Sequence, residues 1–146
     1  MLHQYLIPPG QKQLEINRFD RSFEDVIYIY KDIIRRLDVV LLSYKITDLN
    51  SYYDIEYWVE KINQIGNDRT NFILVGTHLD KEESREVNKS MIDSGKNYVI
   101  RLVKNLRPTW NGFCTSMEVS NHSGENISRL RRLISGSIIH ASGFQI

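Results

Sequence analysis

Cysteine and alanine each occur once in the 146 residues, as Cys114 and Ala141, and proline only three times. A single cysteine excludes an internal disulfide framework and any cysteine-rich zinc site, which makes a reducing cytoplasm the expected compartment. The scarcity of alanine beside abundant Ile, Asn, Lys and Tyr is a compositional bias that carries no chemistry. Charge of one sign is also lacking. Nineteen Lys and Arg against eighteen Asp and Glu leave a formal +1, too weak a field to grip a nucleic-acid backbone or an anionic membrane. The uncharged apolar run at residues 39–44 falls far short of the roughly 20 apolar residues that span a bilayer, so no transmembrane segment is expected. Residues 1–10 hold a short apolar run broken by Pro8 and Pro9, without a basic start or a small-residue cleavage site, and no export signal is read there. Asn-x-Ser triplets at Asn88, Asn121 and Asn126 are what frequent Asn produces by chance. With 41% apolar and 25% charged residues, the composition is that of a folded soluble chain, and the length fits a single domain over residues 1–146.

What is present is an alternation of periods. Val39-Val40-Leu41-Leu42-Ser43-Tyr44 and Asn71-Phe72-Ile73-Leu74-Val75-Gly76 are short and nearly continuous in apolar character, as strands covered on both faces are. Residues 113–119 form a weaker third candidate. Each is followed by helical spacing: Ile55, Trp58, Val59 and Ile62 after Asp48 and Asn50; Val99, Leu102, Val103 and Leu106 before Pro108; Ile127, Leu130, Leu133, Ile134 and Ile138 after Asn126. Strand followed by helix, three times over, implies a parallel sheet with right-handed crossovers and helices on both faces. Such sheets bind ligands beyond the carboxyl ends of their strands, so the loops after residues 44, 76 and 119 become the candidates for a site.

Those loops carry the sequence's most specific wording. The second strand runs into Gly76-Thr77-His78-Leu79-Asp80, and the third into Glu118-Val119-Ser120-Asn121-His122-Ser123-Gly124-Glu125-Asn126-Ile127. Together they resemble the base-recognition half of the Ras-like small GTPases, where an Asn/Thr-Lys-x-Asp loop reads guanine and a Ser-Ala-Lys loop closes over it. The Thr-His-Leu-Asp wording is similar to the Roc-type branch. Residues 38–48, with Tyr44, Thr47 and Asp48, look like the Rab-type strand ending Tyr-Asp-Ile-Thr, and Ser51-Tyr52-Tyr53 and Trp58 continue it. Pro9-Gly10-Gln11 followed by Arg18-Phe19 resembles the Asp-x-x-Gly-Gln segment that opens switch II. The motifs fall in the family's order between about residues 3 and 140.

The resemblance implies a three-layer α/β P-loop NTPase-like G domain lacking its first strands, with residues 3–7 as the switch II strand and 21–37 as the switch II helix. It implies guanine binding by Thr77, His78, Asp80, Ser120, Asn121 and His122, and a switch II element at Gly10 and Gln11, with Gln11 the one catalytic candidate. A carboxylate at Asp80 can accept both the N1 and N2 hydrogens of guanine, a pair that adenine does not supply. The ring of His78, in place of the family's lysine, can stack on a base. Asn121, in place of alanine, puts bulk near the guanine oxygen. The plainer readings are a helix cap or turn residue for Asp80 and a solvated turn residue for Gln11.

The departures limit what this chain does by itself. No Gly-x-x-x-x-Gly-Lys-Ser/Thr phosphate cradle occurs in the 146 residues; the near-miss at residues 90–97 lacks the first glycine, ends in Asn and reads as helix or loop. The family's magnesium-supporting aspartate aligns with Ile7, which leaves Mg2+ doubtful, and Gln11 then has nothing to hydrolyse. GTP or GDP is the cofactor implied, and turnover by the chain alone is not expected. Two functions follow: a guanine-nucleotide-binding regulatory domain whose phosphate half comes from another polypeptide or from sequence upstream of the assigned start, or a pseudo-GTPase, a nucleotide-free protein-interaction module. A protein partner is expected in both, and one can fill the strand slot between residues 3–7 and 38–44 by edge addition unless those two strands pair directly. No nucleic acid is expected.

The other features read as structure: Phe23, Tyr28, Tyr30, Tyr52, Tyr53, Tyr57 and Trp58 as core and groove lining, Cys114 as a small buried hydrophobe, and Arg35, Arg36, Arg129, Arg131 and Arg132 as solvated faces. His3 and His140 lack ligand spacing, and His122 with Ser120 lacks the orienting acid of a nucleophile pair.

Overall fold

The computed structural model describes residues 31–141. Three parallel strands, β1 (Val39–Lys45), β2 (Asn71–Thr77) and β3 (Cys114–Glu118), pair in that order. Helices α1 (Leu49–Ile65), α2 (Lys89–Leu106) and α3 (Ile127–Ala141) follow them, with a 3-10 turn over Leu79–Ser84 between β2 and α2. All three strand candidates are present, each within one residue of its expected bounds, and all three periodic helices are present, but α2 starts only at Lys89 because the 3-10 turn intervenes after Asp80. The near-miss at residues 90–97 lies inside α2, so it is helix. Expectations for residues 3–7 and for Gly10 and Gln11 lie outside the described residues, as does most of the 21–37 helix.

Period-two alternation sets the layers. Leu42 and Tyr44 of β1 and Phe72 and Leu74 of β2 face one side, where they pack with Ile55, Val59, Ile62, Ile92, Val99 and Val103 of α1 and α2. Ile73 and Val75 face the other side, against Leu130 and Ile134 of α3. Residues 71–76 of β2 are all buried, the expected state of a central strand between two helical layers. The weak third strand is Cys-Thr-Ser-Met-Glu and half-buried throughout, which is why its composition announces it poorly. Trp58 is not core, as expected, but half-buried on the margin of the larger cluster. The buried indole is that of Trp110, whose Nε1 donates to the Thr70 carbonyl at 2.7 Å.

The helix starts are written in side chains. Asp48 accepts from the amides of Asn50 (3.0 Å) and Ser51 (3.3 Å) and caps α1, and Asn88 accepts from Met91 N at 2.9 Å and caps α2. The register aligns Tyr44 with Gly76 and Gly76 with Glu118, so the carboxyl ends of all three strands lie side by side. Among the described residues no strand pairs with the other edge of β1, and no helix is long and apolar enough to cross a membrane.

Candidate functional site

The loops leaving β2 and β3 meet at that common edge. Thr77 ends β2, and its hydroxyl donates to the Tyr44 carbonyl at 3.2 Å while lying 2.8 Å from His78 Nδ1. One hydroxyl proton cannot serve both contacts, so with the carbonyl contact made, His78 Nδ1 is the donor in the second. His78 adopts φ 67°, ψ 33°, a left-handed backbone that turns the chain out of the strand and into the 3-10 segment. Asp80, exposed two residues on, accepts from Ser120 Oγ at 2.7 Å. The Ser120 side chain is fully buried and also accepts from Ser123 N at 3.0 Å, closing the β3 loop on itself.

The Ser120 hydroxyl is therefore the tie between the two loops. It holds the Asp80 carboxyl below the usual carboxylate range, and the nearby His122 and Lys81 act in the same direction. Asn121 and His122 are exposed on the same turn, and the Asn121 amide has no acceptor among the described residues. Gly124 at φ 80° and Asn126 at φ 63° bend the loop into α3, and Asn126 Nδ2 donates to the Glu118 carbonyl at 2.9 Å. The structure thus brings Thr77, His78, Asp80, Ser120, Asn121 and His122 to one edge of the sheet.

A second tie lies beneath the first and was not singled out from sequence. Arg85 binds Glu118 with both nitrogens, at 2.6 and 2.9 Å, and its Nη1 also donates to the Val87 carbonyl at 2.9 Å. Both side chains are mostly buried, at 14% and 16% exposure. The bidentate geometry fixes the segment after Asp80 to the end of β3 just before Ser120. Their opposite charge at the ends of adjacent strand units is the one sequence cue, and it becomes readable only once the β2–β3 register is known. Tyr44 completes the floor. Its ring packs edge-on against Tyr52 at 5.6 Å, and its hydroxyl is buried with no hydrogen-bond partner. Burial, with the Glu118 carboxylate nearby, pushes that phenol's pKa up. Cys114 lies away from this edge, and burial pushes its thiol up to about 12, the state of an inert thiol. No cluster of three or more His, Cys, Asp or Glu suited to a metal occurs among the described residues.

The fold and the paired loops define a G-domain-like α/β protein. The Ras family model matches residues 20–130, and the chain belongs to the Ras family. It is 33% identical over 58 residues to human Ras-related protein Rab-44, which covers 40% of this chain and 6% of that protein. It is 30% identical over 63 residues to human EF-hand calcium-binding domain-containing protein 4B, covering 43% of this chain and 9% of the relative. Over 52 residues it is 33% identical to the GTP-binding protein YPTM1 of Zea mays, covering 36% of this chain and 25% of the relative. The matched stretches thus span a quarter or less of these relatives' own length.

Proposed function

We propose that residues 1–146 form one cytoplasmic domain that serves as the base-reading portion of a guanine-nucleotide-binding regulatory protein, the phosphate cradle lying outside these residues. The observation that carries this reading is the 2.7 Å bond from Ser120 Oγ to Asp80 Oδ1. It joins two loops 40 residues apart and leaves an exposed, ionised carboxylate at the end of the sheet where parallel α/β folds bind ligands. In this role Asp80 accepts the N1 and N2 hydrogens of guanine, His78 lays its ring against the base, and the Asn121 and His122 amides face the base oxygen. The name GTP-binding protein, borne by the maize relative, agrees with that assignment.

Without a Gly-Lys-Ser/Thr loop the chain holds only the base end of the nucleotide. A few hydrogen bonds of about 0.5–3 kcal/mol each give millimolar affinity at best, and no turnover. The alternative, a nucleotide-free interaction module, is favoured by one specific observation: the only Ser-Gly-Lys wording in the chain is the middle of a helix. Asp80→Asn separates the two. A base reader loses stabilisation by guanosine and gains it from xanthosine, whose C2 oxygen accepts the new amide hydrogen. Thermal shifts of wild type and Asp80→Asn with guanosine, xanthosine and adenosine are the measurement. Matching profiles for the two proteins would leave the interaction module.

A further inference from the structure

On the face of the sheet that α1 and α2 cover, the two helices flank a cleft of about 340 Å3, large enough for a single apolar anchor. Buried Ile55, Leu74 and Val99 line it. Tyr52 passes between the helices with its hydroxyl on the Met91 carbonyl at 2.6 Å, in room that exists because residue 95 is glycine. At the rim stand Tyr53, 59% exposed, and Tyr98, 39% exposed. Large aromatics left in water beside an apolar cleft mark an interaction site more often than a solvated face.

The rim is divided in charge. On α1, Glu56 accepts from the Tyr98 hydroxyl at 2.7 Å, and Glu60 follows one turn later on the same flank. On α2, Arg101 lines the cleft three residues beyond Tyr98 and has no ion-pair partner among the described residues. An acidic flank and an unpaired guanidinium on opposite sides of one cleft select a ligand with both signs of charge and reject a uniformly charged one. Glu56 and Glu60 also repel an anionic lipid surface.

We propose that the cleft between α1 and α2 docks a partner-protein peptide, which inserts an apolar side chain between Tyr53 and Tyr98, sets a basic residue against Glu56 and Glu60, and sets an acidic residue against Arg101. A peptide is favoured over a free amino acid because Glu56 and Arg101 stand on different helices with the Tyr98 hydroxyl occupying Glu56. A free amino acid carries both its charges at a single carbon.

The probes are blocked pentapeptides, acetyl-Lys-Gly-Phe-Gly-Asp-amide and its charge-reversed order, titrated into the 15N-labelled full chain. At least one of them shifts the amides of Tyr53, Glu56, Ser94 and Gly95 while those of residues 78–80 and 120–123 stay fixed. Peptides with two Lys or two Asp bind at least fivefold more weakly. Arg101→Glu, at an exposed position, weakens the mixed peptide at least fivefold, and replacing the peptide's Asp by Lys recovers the loss. No shift at millimolar peptide, unchanged affinity in Arg101→Glu, or binding of free phenylalanine as tight as the peptide's would overturn the proposal. The base loops take no part in any of these outcomes, so the result stands apart from the guanine reading.

Discussion

Ser120 Oγ meets Asp80 Oδ1 at 2.7 Å, and this contact decides what the carboxylate can do. The hydroxyl holds Asp80 in its ionised form and aims it, so Ser120→Ala lets the Asp80 pKa rise toward the ordinary aspartate value. A carboxyl depressed by folding contributes stability above its ordinary value and loses that contribution as pH falls, so wild type loses more stability than Ser120→Ala on acidification. An NMR pH titration of the Asp80 carboxyl carbon in both proteins checks the direction; equal midpoints would contradict it. Gly76 has a different constraint. A methyl group there would stand 2.8 Å from Tyr44 Oη and 3.0 Å from Ile46 Cγ2, inside a packed core. Gly76→Ala is expected to cost about 2 kcal/mol by overpacking. Tyr44→Phe, which deletes a buried hydroxyl that has no partner, is expected to stabilise by about 1 kcal/mol and to relieve part of the Gly76→Ala loss. Urea unfolding of the two single variants and the double variant tests both numbers. None of this was readable from residue identities: glycine at a strand end and tyrosine at another carry no mark of contact until register places Tyr44 opposite Gly76.

At the scale of elements, the strongest connection is the ion pair that ties the segment after Asp80 to β3. Glu118→Ala leaves Arg85 desolvated and without its bidentate partner, a loss of about 3 kcal/mol. Hydrogen exchange gives the more specific check. The amides of Arg85 and Val87, bonded to the Glu82 and Ile46 carbonyls, should lose protection ahead of those in β2, and uniform loss across the sheet would assign the pair a purely global role. How much of each element the sequence announced follows from burial. Both continuous apolar strands were legible: helices cover both faces of β2, and β1 keeps its apolar run with one face covered and the other covered in part. β3 was faint because its residues are half-buried and mostly polar, and its place depends on pairing with β2 from Phe72 to Gly76. The start of α1 was legible at its cap, Asp48, whereas that of α2 was not, because a 3-10 turn separates Asp80 from the Asn88 cap. The Asp80 and Ser120 loops were legible through motif wording, whereas Arg85 with Glu118 and the α1–α2 cleft join residues 30 to 50 positions apart, which no local pattern encodes.

For the molecule as a whole, the described residues make a three-stranded sheet with two helices on one face and one on the other, and the edge of β1 shapes what it can join. Asp38 O and Ile46 N bond toward β2, so the alternating backbone groups of Val39, Leu41 and Ser43 point the opposite way. That edge is where the family resemblance places a phosphate-binding strand, and the half-buried Val39 and Leu41 lie on the face that α3 covers only in part. The central claim, that the loops after β2 and β3 read guanine while the phosphate half lies elsewhere, is tested most directly by nucleoside monophosphates on the 15N-labelled chain. Guanosine monophosphate should shift the amides of residues 78–80 and 120–123 with a millimolar midpoint, and adenosine monophosphate at the same concentrations should leave them in place. Equal shifts with both, or none with either, would contradict the claim.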